Sequence, residues 1–255
     1  DAMVEALREH LPLDVLAVQE VYDKPRLHSF AEALGMRVAI CEEGDTRVCL
    51  CNALLVRNDN HEVSGVTSVK LAAPANGVTD ESRVAVAIQT PHASFICTHL
   101  DHNDERTRLS QMEQLDPLLA DREGAGGGSG FFLMGDFNAL RRADYSDQEW
   151  EDLVRRRLYA EIATETDLIA AMENSRGLAD CRTSASCASG PTATSIHNCR
   201  IDYVWASAAV RSKWRVAECA HCWLRRVRPE GDQKDDTPSD ELTDHALVVC
   251  TLEPV

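Results

Sequence analysis

Positive charge is what this sequence has least of. Its 255 residues carry 26 Lys+Arg against 42 Asp+Glu, a formal net charge of −16, so the whole molecule repels polyanions at long range. Phosphate groups then need local help from a cation or from a few well-placed arginines. Tight, sequence-independent binding to long duplex nucleic acid is disfavoured. Aromatic residues are scarce as well, 5% of the chain, and there is no basic, aromatic-rich stripe of the kind that tracks a nucleic-acid strand. No apolar run approaches the roughly 20 residues of a membrane span, so no spanning helix is expected. There is no internal repeat. The glycine-rich stretch Gly124 to Gly130 lacks the lysine and the Ser/Thr of a phosphate-binding loop and reads as a surface loop, not a domain boundary.

Cysteine is plentiful, with 10 residues, but a chain this long does not need a disulfide framework. Cys49, Cys51, Cys97 and Cys250 sit in apolar, strand-like runs, where a free thiol packs as a small hydrophobe. A reduced, intracellular protein is expected. Cys219-Ala-His-Cys222 has the spacing of half a zinc site, and no second pair follows it. The chain opens at Asp1 without a methionine, which leaves room upstream for a signal, a transit segment or a first strand. With 44% hydrophobic residues the length suits one large α/β domain spanning residues 1–255.

Residues Ala2 to His10 read as a short helix. Apolar runs at Leu13 to Gln19, Val48 to Val56, Val84 to Gln89, Ser94 to Leu100, Phe131 to Met134, Ile201 to Trp205 and Ala246 to Leu252 read as strands. Helical spacing returns at Asp104 to Leu119 and Gln148 to Thr166. Helices are too few for a regular βαβ alternation, which points to packed mixed sheets with helices outside.

Polar residues gather just after the apolar strands, where loops at one sheet edge bring distant positions together. Val15-Leu-Ala-Val-Gln-Glu20 presents a carboxylate suited to a hard divalent ion, although a helix-capping or salt-bridged Glu is the plainer reading. In Thr98-His-Leu-Asp-His102, the two histidines and the aspartate suit either a metal or a structural hydrogen bond at a strand end. In Gly135-Asp-Phe-Asn138, an acid and an amide two apart in strand conformation share a face, so Asp136 can hold a water or metal while Asn138 donates to a phosphoryl oxygen. Asp202 interrupts the apolar strand Arg200-Ile-Asp-Tyr-Val-Trp205 and is costly to bury unpaired. His245, in Thr243-Asp-His245, is its natural partner.

In content and order these five junctions resemble the endonuclease/exonuclease/phosphatase superfamily, the DNase I-like fold. The matching marks are Gln19-Glu20, Thr98-His99-Leu100, Gly135 to Asn138, Arg200 to Tyr203 and Thr243-Asp244-His245. The resemblance implies a four-layer α/β sandwich, two mixed β-sheets packed face to face with helices outside, whose first strand is missing from this chain. It also implies Mg²⁺, or Mn²⁺, held by Glu20 with Asp244 assisting. Asp136 would deprotonate the attacking water, Asn138 and His99 would donate to the developing charge, and His245, held by Asp202, would contact the phosphate. Where the family often has an Asn beside the metal, this chain has not yet begun, and Thr243 stands in the place of a serine.

Arg83 matches a position where such proteins often place an arginine near the phosphate. His197, in the polar segment Thr192 to Asn198, can reach a ligand, and both are candidate substrate contacts beside the plainer reading of solvated surface. Residues 141–176 form a helical insertion, either a lid or a helix packed outside the sheet through Trp150. The expected reaction is hydrolysis of a phosphodiester, in nucleic acid or a small phosphorylated substrate, by a monomer. Alternatives are a phosphomonoesterase acting on a lipid or inositol, a catalytically silent binding or scaffold domain, and a zinc hydrolase built from His99, Asp101, His102, Cys219 and Cys222.

Overall fold

The computed structural model describes residues 2–44, 51–59, 62–74, 82–125, 129–160, 162–224 and 242–255. The strands are β1 Val15–Val21, β2 Met36–Glu43, β3 Cys51–Arg57, β4 Gly65–Leu71, β5 Arg83–Gln89, β6 Ser94–His99, β7 Phe131–Asp136, β8 Ala179–Asp180, β9 Cys187–Ser189, β10 Asp202–Ala206, β11 Trp214–Cys222 and β12 Leu247–Pro254. The helices are α1 Ala2–Leu7, α2 Lys24–Ala33, α3 Glu105–Ala120, α4 Asp147–Tyr159, α5 Asp167–Ala170, α6 Cys181–Ser184 and α7 Ala208–Arg211.

Side chains on a strand point alternately to its two faces, so a strand covered on both faces can be apolar throughout. β3 and β5 are such strands. Leu54 and Val56 of β3 meet Val84, Val86 and Ile88 of β5 in one core, while Ala53 and Leu55 join the core beneath α1 and α2 and Ala85 and Ala87 the core beneath α3. β4-β5-β6-β7-β10-β8 form a six-stranded sheet, with β6 and β7 parallel and the other pairs antiparallel. Facing it are β1-β3-β2 and β12-β11-β9, the second packed on it through Val216, Cys219, Phe132 and Val204. The expected four-layer sandwich is present. Its second β layer, however, consists of two three-stranded sheets.

Helix α3 covers the outer face of the six-stranded sheet with Met112, Leu115 and Leu119. It starts one residue later than expected because Asp104 is its cap, accepting a 3.0 Å bond from Thr107 N. Helix α4 is capped by Ser146 and Glu149 and stops at Tyr159, short of the expected Thr166. Strands β2, β4 and β11 and helix α2 were not expected. β4 and β11 alternate polar with apolar residues, and an apolar run is not how a half-exposed strand looks. Residues 48–50 of the expected third strand, Cys49 among them, and residues 126–128 of the glycine-rich stretch lie outside the described residues. Among the described residues no helix is long and apolar enough to cross a membrane.

One glycine decides how closely two strands approach at the site. Gly135 has φ 135°, and a Cβ there would lie 1.9 Å from the Thr98 carbonyl oxygen of its parallel neighbour. Gly177 also has positive φ, but nothing lies within 4 Å of its Cβ position. Gly135→Ala should therefore lower unfolding free energy by at least about 2 kcal/mol, and Gly177→Ala by only about 1 kcal/mol. Urea denaturation of both variants checks this, and equal midpoints would contradict it.

Candidate active site

Strand register assembles the site. His99 pairs with Asp136 across β6 and β7, and Asp136 pairs with Asp202 across β7 and β10. All three share the face of Phe95, Cys97, Phe132, Met134 and Val204, which fill the space between the layers. They therefore form a row where the interlayer core meets the sheet edge. His99, Asp136 and Asp202 are each less than a tenth exposed.

β1 enters from the opposite layer. Its pairing with β3 breaks between Val18 and Val21, and Glu20 there has φ 56°, a conformation uncommon for a residue with a side chain. This bulge turns the Glu20 carboxylate toward the row, with Oε1 3.8 Å from His99 Nδ1. Gln19 anchors the bulge by donating a 3.1 Å bond to Cys97 Sγ. Burial pushes the Cys97 thiol up to about 12, so it is a packing group and not a nucleophile.

Asn138 reaches the row differently from the sequence expectation. β7 ends at Asp136, and Asn138 lies beyond it with φ 49°. Its N–H donates to Asp136 Oδ1 at 2.8 Å, so a tight Asx turn, and not strand alternation, puts acid and amide together. The amide Nδ2 donates to Leu100 O and faces His99 Nε2, both at 3.2 Å. That contact assigns the Nε2 lone pair to Asn138 and leaves the proton on Nδ1, toward Glu20.

His245 completes the row. Its Nδ1 lies 2.8 Å from Asp202 Oδ2, and its Nε2 is 4.0 Å from Asp136 Oδ2. Both members of the pair depend on Thr194, whose Oγ1 accepts from Asp202 N at 3.1 Å and whose carbonyl accepts from Ala246 N at 2.7 Å. A bridge between Ser195 and His245 fixes the same segment. Below Asp202, buried Arg200 donates twice to Asp180, at 2.7 Å each, and at 3.1 Å to Asp144.

The two histidines are driven in opposite directions. Burial, followed by the charges of Arg83, His245 and His102, lowers His99 to about 3. Burial also opposes charge on His245, but the hydrogen bond and charge of Asp202, with Asp136 and Asp244 behind it, outweigh that and raise it to about 9. At neutral pH one imidazole is neutral and the other cationic. Between them Asp136 is raised well above the ordinary carboxylate range by burial first and Asp202 second, with Glu20 adding to the effect while His245 and the Asn138 amide oppose it.

The remaining candidates flank the row. Arg83 is buried, with Nη2 3.1 Å from His102 Nδ1. His197 is exposed on the opposite side, in the loop whose Ile196 N–H donates to Asp244 O at 2.9 Å. Asp244 is itself exposed. Among the described residues, the group of three potential metal ligands within 4.8 Å of one another is Asp136, Asp202 and His245, not Glu20 and Asp244. In that group His245 gives its Nδ1 to Asp202, and the cationic form this pair favours opposes ligation through Nε2. Glu20 adds negative charge beside Asp136, which a divalent cation on the Glu20 carboxylate would neutralise. The zinc alternative does not assemble: Asp101 caps the turn before α3, accepting from Asn103 N and Asp104 N, and Cys219 Sγ packs 3.3 Å from Cys250 Sγ.

Sequence reasoning assigned no role to Gln19, Thr194 or Arg200. Arg200 carried a usable signal, a lone arginine opening an apolar strand, but its acceptors lie 20 and 56 residues away.

The family model described as the Endonuclease/Exonuclease/phosphatase family matches residues 1–240. No match was found among curated proteins. Among solved structures, the mannosyl-6-phosphatase of Bacteroides thetaiotaomicron is 16% identical, covering 98% of this chain and 89% of its own, with a TM-score of 0.70. The human Nocturnin catalytic domain with bound sulfate is 18% identical over 100% of this chain and 85% of its own, with a TM-score of 0.63. The Neisseria 3′ phosphatase NExo, bound to a product DNA hairpin, is 17% identical over 98% of this chain and 93% of its own, with a TM-score of 0.57.

The His245–Asp202 pair has a definite pH signature. The folded pKa of about 9 lies above the ordinary 6.5, so the stabilisation is complete below pH 6.5 and is lost as pH rises through about 9. With EDTA present, the stability lost on His245→Gln should be largest at low pH and shrink across that window. A loss independent of pH would contradict the pairing.

Proposed function

The chain belongs to the endonuclease/exonuclease/phosphatase family, and on that premise we propose that it hydrolyses a phosphoester, most readily a phosphodiester, by in-line attack of water. The observation that carries this reading is the buried carboxylate of Asp136 set between a neutral and a cationic imidazole.

Asp136 orients the water and takes its proton. Its raised pKa makes it a stronger base than an ordinary carboxylate, and the Asn138 N–H on Oδ1 leaves Oδ2 toward the two histidines. The water oxygen then bonds to phosphorus as the bond to the leaving oxygen breaks, with no covalent enzyme intermediate. His245 meets the charge that develops on the phosphoryl group, and Asp202 keeps it protonated and aimed through Nε2. His99 offers its Nδ1–H on the Glu20 side, Asn138 holds that tautomer through Nε2, and Arg83 and His197 are the candidate contacts for the rest of the substrate. Mg²⁺ or Mn²⁺, held by Glu20 with Asp244 assisting, supplies neutralisation of the phosphoryl oxygens when bound.

A phosphomonoesterase is the second reading, favoured by two of the similar structures, named a mannosyl-6-phosphatase and a 3′ phosphatase. The discriminating assay compares bis(p-nitrophenyl) phosphate with p-nitrophenyl phosphate in Mg²⁺. Turnover of the diester is expected to exceed that of the monoester and to vanish in EDTA. Asp136→Asn and His245→Ala should each lower kcat by about 10²–10⁴-fold. A wild-type protein that hydrolyses neither compound is a silent binding domain, and variants that hydrolyse at the wild-type rate would overturn the residue assignment.

A further inference from the structure

One buried amide on α3 stands outside the row of site residues and yet bears on it. Gln111 is fully buried. Its Oε1 accepts from Asp101 N at 2.9 Å, while among the described residues nothing hydrogen-bonds its Nε2. A buried N–H without an acceptor is costly, so a side chain that only packed there would carry no polar group. What glutamine supplies at this position is its oxygen.

That oxygen holds the peptide between Leu100 and Asp101. The peptide is trans and planar, so its two polar groups point in opposite directions: the Asp101 N–H toward Gln111 and the Leu100 carbonyl toward Asn138, whose Nδ2 donates to it at 3.2 Å. The peptides on either side are tied separately, by Leu100 N on Asp136 O at 2.9 Å and by Arg108 Nη1 on Asp101 O at 3.0 Å. The Leu100 carbonyl decides which way round the Asn138 amide sits. Reversed, the amide would set Oδ1 against that carbonyl, acceptor against acceptor, and would offer His99 Nε2 an acceptor as well. Asp136 Oδ2, 3.5 Å from Nε2, already invites a proton onto that nitrogen. With Nδ2 facing it at 3.2 Å, Nε2 is instead the acceptor. Glu20, 3.8 Å from Nδ1, is too far away to hold the proton there by a hydrogen bond of its own.

We infer that Gln111 is a positioning residue for His99: by orienting the Leu100–Asp101 peptide it fixes the sense of the Asn138 amide, and through that amide the Nδ1–H tautomer of His99. Nδ1–H is the donor offered on the Glu20 side. In the other tautomer a ring lone pair would face the phosphoryl oxygens and repel them. For its effect on turnover the inference rests on phosphoester hydrolysis at the Asp136 row; for its effect on the imidazole it does not.

The test uses the full chain with isotope-labelled histidine, in EDTA at neutral pH, where the NMR shifts of the ring nitrogens separate the two tautomers of a neutral imidazole. Wild-type His99 should carry its proton on Nδ1, and a proton on Nε2 overturns the inference before any variant is made. Gln111→Met removes the acceptor at similar volume and should move His99 toward the Nε2–H form while the His245 ring keeps its shifts. Gln111→Glu keeps an acceptor oxygen and should restore the wild-type pattern. Gln114→Met, which removes the bonds of the same helix to Ala72, should move neither ring. If in Gln111→Met the two rings shift together, or neither shifts, Gln111 serves the fold alone and the inference fails. With bis(p-nitrophenyl) phosphate and Mg²⁺, Gln111→Met should lower kcat by about 10–100-fold at unchanged KM, and Gln111→Glu should recover it. An unchanged kcat in an active enzyme overturns the inference too. If His99 changes tautomer as expected but the wild-type protein hydrolyses nothing, the positioning role stands and the hydrolytic reading falls.

Discussion

Two carboxylates on adjacent strands must be buried side by side, and much of the architecture answers that constraint. Register places Asp136 opposite Asp202 with both nearly hidden from solvent, and like charges so placed repel strongly where water does not screen them. His245 lies between them, 2.8 Å from Asp202 and 4.0 Å from Asp136. It is the cation that makes the pair tolerable. The acids hold its proton, and its charge limits how far the pKa of Asp136 climbs.

Such an arrangement requires a rigid frame. Thr194 ties the backbones at Asp202 and Ala246 together, so the His245–Asp202 distance does not depend on flexible side chains alone. Beneath it, the Arg200–Asp180–Asp144 network joins β8, β10 and the segment after Asn138. Its Arg200–Asp180 pair is buried and bidentate, so removal of either of those two leaves a buried charge without its main counterion. On the other flank, the Gly135 close approach sets the β6–β7 spacing, and Gln19 on Cys97 sets the β1 bulge that aims Glu20. Groups distant in sequence are thereby fixed within a few ångströms of one another.

Much of this was legible in the sequence wherever burial leaves a compositional trace. β5, β6, β7 and β10 are covered on both faces and read as apolar runs, each near the place expected. Polar residues at their ends stood out against that background, which is why His99, Asp136 and Asp202 could be named together, and an aspartate in an apolar strand required a partner such as His245. β4 and β11 lie half in solvent and left no such trace. Bulges and turns were also hidden: the left-handed conformation of Glu20 runs against its local propensity, and that of Asn138 belongs to an Asx turn with Asp136 that strand alternation did not anticipate. The same holds for the long-range network around Arg200.

NMR titration of the ring protons of His99 and His245 reports whether Asp136 lies between a neutral imidazole and a cationic one. His245 should titrate near 9 and fall toward its ordinary value in Asp202→Asn, while His99 shows no titration near 6.5 in either protein. Both rings titrating together near 6.5 would contradict the account.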